Sequence, residues 1–239
     1  MTLLKPFVAE FMGTFALVFA GLAALLATLP PIGPNLTAGG TAVLSVALAQ
    51  GLAMAFAVAC FGGISGAQLN PAITLGELAA KRISYRDAAA YIVAQLAAAT
   101  LAAAVCRLIY PHDAIALCSL GTPLPSRWVE GTTSPLGVSG TLLVVEIVLS
   151  MLFVLAWQWA RDEQGDGPRS ASAIVVGATW AFCILAAQPV TGGGLNPARS
   201  FGSAIVWGDW SWHWVYWMAP VLGALSATAL WRNYLAPRS

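Results

Sequence analysis

Two similar stretches decide the fold: Ser65-Gly66-Ala67-Gln68-Leu69-Asn70-Pro71-Ala72 and Thr191-Gly192-Gly193-Gly194-Leu195-Asn196-Pro197-Ala198-Arg199. Each runs from a glycine-containing loop into Asn-Pro-Ala and then into an apolar segment. Asparagine is a favoured helix N-cap, and proline suits the first helical position because its missing N–H would have no partner there. Asn70-Pro71-Ala72 and Asn196-Pro197-Ala198 therefore predict the starts of two helices.

These two helices are too short to cross a membrane. About twelve residues separate Asn70 from the charged pair Lys81-Arg82, and a similar length separates Asn196 from Gly208. At 1.5 Å per residue such helices are roughly 15–18 Å long, about half of a hydrocarbon core near 30 Å. We therefore expect two half-membrane helices that meet end to end at the centre of a bilayer, an arrangement typical of pores and binding sites.

The composition of the chain is that of a membrane protein. Hydrophobic residues make up 59% of the 239 residues and charged residues 9%, whereas soluble domains contain about 25% charged residues. The formal net charge of +1 gives no indication of a nucleic-acid partner. At about 20 residues per span, six full helices and two half-membrane re-entrant helices fill the chain. We expect an all-α, multi-pass protein with a single domain over residues 1–239.

Apolar segments predict the six full spans at residues 7–27, 41–61, 88–110, 139–160, 171–187 and 212–231. No cleavable signal pattern is found at the N-terminus, so we expect the first apolar segment to be a span. Basic residues concentrate on one side of this topology: Lys5, Lys81, Arg82, Arg86, Arg161, Arg169, Arg232 and Arg238. By the positive-inside rule, we expect both termini in the cytoplasm and residues 111–137 as an external loop.

The order of these segments indicates an internal repeat, with halves at about residues 1–110 and 138–239. Glu10 lies in Ala9-Glu10-Phe11 of the first span, and Glu146 has the matching place in Val145-Glu146-Ile147 of the fourth. Each half contains three spans, an odd number, so the second half is expected to be inverted in the membrane. The inversion would bring the two Asn-Pro-Ala motifs together from opposite faces.

Asn70, Asn196 and Arg199 are candidate pore residues. An N-capping asparagine accepts a backbone N–H with its side-chain oxygen, so its amide nitrogen is left to donate toward the pore. The positive ends of the two half-helices would repel protons and cations at the same place. Arg199, one turn into the second half-helix, would add a fixed cation near the outer end of the pore.

Glu10 and Glu146 lie within apolar spans, where a carboxylate is costly unless it is paired or hydrogen-bonded. We expect each to support the adjacent non-helical loop by accepting its N–H groups, and the alternative is a proton-coupling site. The sequence contains no catalytic triad, metal-ligand cluster or phosphate loop. We therefore expect no catalytic residue, no metal and no cofactor.

The sequence resembles the aquaporin, or major intrinsic protein, family over essentially the whole chain. This resemblance rests on the doubled Asn-Pro-Ala motif, on Arg199-Ser200 and on the two acids Glu10 and Glu146. The resemblance implies an aquaporin-like channel domain, a homotetramer in the lipid bilayer and passive single-file conduction. It also places the narrowest filter at four residues: Gln50, Ile184, Gly193 and Arg199. This set is more similar to that of plant tonoplast intrinsic proteins than to that of orthodox water channels, which tend to have Phe and His at the first two places.

The missing aromatic and imidazole groups favour a filter wider than that of a strict water channel. The predicted function is passive conduction of water, with ammonia, hydrogen peroxide, urea and glycerol as further candidate solutes, and exclusion of ions and protons. One alternative is an aquaglyceroporin-type glycerol facilitator, which Ser200 and Tyr216 disfavour and the small filter residues favour. A second is a proton-coupled secondary transporter. The compact chain favours a prokaryotic cell (inner) membrane.

Overall fold

The computed structural model of the protein describes residues 3–28, 39–131, 134–162 and 169–236, and these residues form helices and no strands. In chain order the α-helices are α1 (Leu4–Thr28), α2 (Gly39–Ser65), α3 (Pro71–Ala79), α4 (Tyr85–Ile109), α5 (His112–Leu117), α6 (Arg127–Glu130), α7 (Gly137–Asp162), α8 (Arg169–Thr191), α9 (Pro197–Trp207) and α10 (Val215–Leu230). The half-helices predicted after Asn70 and Asn196 are α3 and α9.

Five of the helices in the described ranges are long and apolar enough to cross a membrane: α1, α2, α4, α7 and α8. The sixth predicted span is shorter than expected in its α-helical part, because α10 has only 16 residues. Its predicted beginning forms consecutive turns instead, in which Val215 N donates to Trp212 O. At its other end α10 continues as a π-helix over Trp231–Leu235.

The segment predicted as an external loop, residues 111–137, contains the short helices α5 and α6 and a 3-10 turn at Ser119–Gly121. It folds back against the end of α8, where Ser126 N donates to Val190 O at 3.0 Å. A Cβ built on Gly192 would lie 2.8 Å from Leu124 N. The connection therefore covers the end of α8 that leads into the second Asn-Pro-Ala motif.

Close helix crossings join the long helices. α2 packs along α1 and α8, and α7 packs along α8 and α10. At the α2–α8 crossing, a Cβ on Gly51 would lie 2.8 Å from Gly177 O, and a Cβ on Gly177 would overlap Gly51 O. Small residues at such crossings let backbones approach closely, which is how helices associate in lipid.

The half-helices pack against long helices that are distant in the sequence. α3 lies mainly against α10, and α9 mainly against α4. In each of the sets α1–α4 and α7–α10 the third helix is the half-helix, and the bounds of the predicted repeats and the sidedness of the chain stay predictions. Arg238, one of the residues that set the predicted orientation, lies outside the described residues.

Candidate functional site

The two asparagines cap the half-helices. Asn70 Oδ1 accepts from Ala72 N at 2.9 Å, and Asn196 Oδ1 accepts from Ala198 N at 2.9 Å and from Arg199 N at 3.3 Å. Both asparagines have extended backbone angles, as N-cap residues do, and proline follows each of them at the first helical position. Local sequence therefore accounts for where α3 and α9 begin.

The same asparagines also join the two half-helices to each other. Asn70 Nδ2 donates to Leu195 O at 3.0 Å, and Asn196 Nδ2 donates to Leu69 O at 2.8 Å. Each amide nitrogen carries two hydrogens, so one N–H of each asparagine bonds across the junction and one remains. These reciprocal bonds were not predicted from the sequence, which suggested an amide nitrogen free to donate to the pore.

The residue before each asparagine has an uncommon backbone conformation. Leu69 and Leu195 have φ values of 54° and 55°, in the left-handed region that side-chain-bearing residues seldom occupy. A buried carboxylate holds each of them: Leu69 N donates to Glu10 Oε2 at 2.6 Å, and Leu195 N donates to Glu146 Oε2 at 2.6 Å. Such strain persists where the surrounding contacts over-determine the conformation.

Both carboxylates are fully buried and accept further hydrogen bonds. Glu10 also accepts from Ser65 Oγ at 2.6 Å, Gln68 N at 2.9 Å and Gln95 Nε2 at 2.8 Å. Glu146 also accepts from Thr191 Oγ1 at 2.5 Å and Gly194 N at 2.9 Å. A buried carboxylate is tolerated where donors satisfy its oxygens. These contacts are the ones that a loop-supporting acid needs.

Arg199 is 4% exposed, and backbone carbonyls hold its guanidinium group. Nη1 donates to Gly121 O at 3.0 Å, and Nη2 donates to Gly192 O at 3.3 Å. Nε is buried and has no hydrogen-bond partner among the described residues. The connection between α4 and α7 and the loop before α9 therefore fix the cation in place.

Ile184 and Gly193, two further residues of the predicted filter, lie beside each other. A Cβ built on Gly193 would be 3.3 Å from Ile184 Cδ1. Gly193 has a φ of +66°, which a side-chain-bearing residue rarely adopts. Its neighbour Gly192 bonds to Arg199, so the structure brings Ile184, Gly193 and Arg199 together.

Gln50, the fourth predicted filter residue, is 2% exposed, and its Oε1 accepts from Trp180 Nε1 at 2.9 Å. Trp180 lies one turn before Ile184 on α8, so Gln50 lies beside the helix that carries Ile184. Within the described ranges, no hydrogen bond joins Gln50 to Ile184, Gly193 or Arg199. The sequence did not identify Trp180, and an indole in an apolar span gave no signal of this contact.

A polar cluster at the end of α3 was also missed. The buried Glu77 accepts from Arg161 Nη1 at 2.6 Å with one carboxylate oxygen, and from Arg82 Nη1 at 3.2 Å and Gln158 Nε2 at 3.0 Å with the other. Gln158 Oε1 accepts from Arg82 at 2.6 Å. The cluster joins the C-terminal end of α3 to α7. Two polar residues in apolar surroundings, Glu77 and Gln158, were the available sequence signal.

Replacing Glu77 by alanine is expected to loosen α3 from α7 and to lower thermal stability. Hydrogen bonds to charged groups contribute about 1.5–3 kcal/mol each, less for the two arginines because their side chains are partly exposed. The apparent Tm should therefore fall by roughly 5 °C. Thermal aggregation in detergent measures the change. The control is Asp113→Ala, which removes an exposed carboxylate of α5. Equal Tm values for the two variants would contradict the anchoring role.

Comparisons with known proteins identify the family of the chain. A family profile described as Major intrinsic protein matches residues 1–231. The lens fiber major intrinsic protein of Ovis aries is 39% identical over 231 residues, covering 96% of this chain and 81% of the relative. Aquaporin NIP3-1 of Arabidopsis thaliana is 34% identical over 229 residues, covering 95% of this chain and 66% of the relative.

A solved structure shares the fold. The X-ray structure of the aquaglyceroporin from Plasmodium falciparum matches with a TM-score of 0.77 and 22% sequence identity, over 99% of this chain and 98% of that one. The predicted likeness to tonoplast intrinsic proteins is finer than these comparisons resolve and stays a prediction. Members of the matched family are membrane channels and not enzymes. The paired half-helices and the match over residues 1–231 together show that the chain belongs to the major intrinsic protein family, with the aquaporin fold.

Proposed function

We propose that this channel conducts water and small neutral solutes passively and excludes ions and protons. The observation that carries the proposal is the junction of α3 and α9, where Asn70 and Asn196 bond across to the opposite loops. Each asparagine keeps one N–H for the oxygen of a passing molecule. The positive ends of both half-helices meet at this point, which disfavours protons and other cations.

The filter supports the wider part of the proposal. Gly193 has no side chain beside Ile184, and Arg199 is held against backbone carbonyls. A fixed cation repels cations, while the missing aromatic and imidazole groups leave room for solutes larger than water. A glycerol facilitator is the second candidate function, favoured by the same small filter residues. The contacts of Glu10 and Glu146 with loop N–H groups disfavour proton coupling, which needs a carboxylate open to water.

Enlarging the side chains of the filter is the test. We expect proteoliposomes with the wild-type channel to pass both water and urea in stopped-flow light scattering. The double variant Gln50→Phe/Ile184→His should pass urea at least about tenfold more slowly relative to water, the factor that ~1.4 kcal/mol of added barrier produces. Leu48→Phe, an exposed position of α2, is the control and should behave as the wild type.

Other flux results would contradict a particular part of the proposal. Wild-type water flux without urea or glycerol flux would contradict the wide filter, and equal urea flux in the double variant would remove Gln50 and Ile184 from it. Glycerol flux that exceeds urea flux would favour the glycerol facilitator. Absence of water flux would contradict the proposed function as a whole.

The assembly and placement of the channel are part of the proposal: a homotetramer in the cell (inner) membrane with both termini in the cytoplasm. Exposed apolar side chains at four-residue spacing on α2, at Leu44, Leu48, Leu52 and Phe56, support a surface that faces lipid or another copy. Light scattering in detergent measures the mass of the assembly. A monomeric mass would contradict the tetramer.

A further inference from the structure

The peptide group between Ala67 and Gln68, in the loop before α3, is held from both sides. Its N–H, on Gln68, donates to Glu10 Oε1 at 2.9 Å, and its carbonyl oxygen, on Ala67, accepts from Trp157 Nε1 at 3.2 Å. An ionised carboxylate can only accept and an indole N–H can only donate, so each of them fits one side of this peptide. The peptide plane is therefore pinned between α1 and α7.

Strained backbone surrounds the pinned peptide. Ala67 and Leu69 have φ values of 46° and 54°, in the left-handed region, which is costly for residues with side chains. Leu69 O is the atom that accepts from Asn196 Nδ2 across the junction of the half-helices. A rotation of the peptide would therefore move the atom that the second asparagine contacts.

Trp157 is itself held by the residue that anchors the other end of α3. The indole is 2% exposed, and Arg161 Cζ lies 5.7 Å from its ring centroid, the distance of a cation–π contact. Arg161 Nη1 in turn donates to Glu77 Oε2 at 2.6 Å, near the C-terminal end of α3. Trp157 and Arg161 are one turn apart on α7, so they share a face of the helix. This pair, the α7 clamp, reaches the loop before α3 and the end of α3 together.

The first half of the chain offers the second loop no such donor. Gly21 stands as far after the acid of α1 as Trp157 stands after the acid of α7, Glu146. A glycine has no side chain with which to bond a loop carbonyl. The second loop is bonded from a different helix, since Tyr216 Oη of α10 donates to Thr191 O at 2.6 Å. The α7 clamp is therefore a feature of the first loop that the repeat does not copy onto α1.

We propose that Trp157 is a positioning residue of the pore, whose indole N–H keeps the peptide after Ala67 in place and, through it, Leu69 O at the junction of the half-helices. Arg161 keeps the indole in place and ties it to the C-terminal end of α3. The carboxylate of Glu10 alone does not suffice, because it holds only the N–H side of the loop. This inference rests on the proposed function, since it names a positioning residue for the same water pore.

The test compares two replacements that each keep one part of the indole. Trp157→Phe keeps an aromatic ring without an N–H, whereas Trp157→His keeps a ring N–H at the place of Nε1 and loses the larger ring. Water permeability per reconstituted channel, from stopped-flow light scattering, should fall about two- to tenfold in Trp157→Phe, the factor by which one hydrogen bond shifts an equilibrium. It should fall less in Trp157→His. If Trp157 only filled space, the smaller histidine would have the larger effect, and that order would overturn the inference.

Hydrogen exchange of the loop, followed by mass spectrometry on residues 65–70 in detergent, is a second readout that does not depend on conduction. Exchange should be faster in Trp157→Phe than in the wild type, with Trp157→His between them, because the pinned peptide is released. Trp159→Phe is the matched control, two residues further along α7, at a half-buried indole that makes no hydrogen bond within the described ranges. It should leave both readouts at the wild-type level.

Arg161→Gln tests the α7 clamp without altering the indole. It removes the cation over the Trp157 ring and the charged bond to Glu77, so exchange in residues 65–70 should rise and water permeability should fall. If Trp157→Phe does not reach the membrane, Arg161→Gln still decides the question, and wild-type exchange in this variant would overturn the clamp.

The inference and the proposed function fail in different ways. Normal water flux and normal exchange in Trp157→Phe would overturn the positioning role and leave the water channel intact. No water flux in the wild type would overturn the proposed function, while the exchange rates would still test whether Trp157 holds the loop.

Discussion

Replacing Glu146 by alanine is expected to abolish water conduction and to reduce the amount of folded channel in the membrane. The change leaves Gly194 N and Leu195 N without their acceptor, while Thr191 Oγ1 is left with Ala187 O, at 3.2 Å, as its acceptor. An unsatisfied polar group inside a bilayer costs several kcal/mol, and Leu195 would lose the contact that holds its left-handed conformation. The loop before Asn196 should then rearrange, so that the junction with Asn70 is lost. Stopped-flow light scattering and the yield of monodisperse protein measure the two effects.

The matched control is Glu130→Ala, which removes an exposed carboxylate of α6. It should leave both the yield and the water permeability at the wild-type level. Normal water conduction by Glu146→Ala would show that the loop keeps its conformation without the carboxylate.

Glu146→Gln separates loop support from proton coupling. A glutamine has one acceptor oxygen, and its NH₂ group would face the N–H groups of the loop, so we expect reduced conduction. If Glu146 coupled proton movement to transport, an imposed pH gradient would drive solute accumulation in vesicles with the wild-type protein. The Glu146→Gln variant would not accumulate the solute. We expect no such accumulation in either protein, and its appearance in the wild type would favour the transporter.

Gly177→Val is expected to have the second largest effect, a loss of helix packing between α2 and α8. Even a Cβ at this position would overlap Gly51 O and lie 2.7 Å from Ala55 Cβ. Backbone atoms cannot move aside as the end of a side chain can, so the helices must separate. Overpacking of this kind costs about 1–3 kcal/mol and occasionally more. The apparent Tm should fall by roughly 10 °C, and water conduction should fall with it because Gln50 and Trp180 flank this crossing.

Ala178→Val is the control for this prediction, since it adds the same β-branched side chain to the next residue, which is exposed. It should change the apparent Tm little. Equal Tm values for the two variants would mean that the α2–α8 crossing tolerates a wider separation.

The half-helices were predictable because their signals are local. The prediction that helices begin after Asn70 and Asn196 is confirmed by side-chain caps at both residues. The second half-helix ends at Gly208, whose left-handed conformation closes α9. Residues 111–137 were predicted only as an external loop, because this stretch is rich in proline, glycine, serine and threonine. Contacts with the end of α8 stabilise short helices there.

The partners of the polar residues were not predictable. Gln95 bonds to Glu10 across 85 positions of the chain, and Trp180 bonds to Gln50 across 130. A sequence shows that such residues need partners in an apolar span, but not which helix supplies them. The same holds for Glu77, whose buried carboxylate is bonded by residues of α7 and by Arg82.

The sequence by itself determined that the chain lies in a membrane, that two half-helices form, and that the acids Glu10 and Glu146 must be hydrogen-bonded. Hydropathy, helix capping and the cost of burying a charge depend on residue type and near neighbours, which the sequence contains. Only the tertiary structure decided that Asn70 and Asn196 bond to each other's loops and that Trp180 donates a hydrogen bond to Gln50. Those contacts depend on how closely the helices cross, and the crossing of α2 and α8 depends on Gly51 and Gly177 meeting in space.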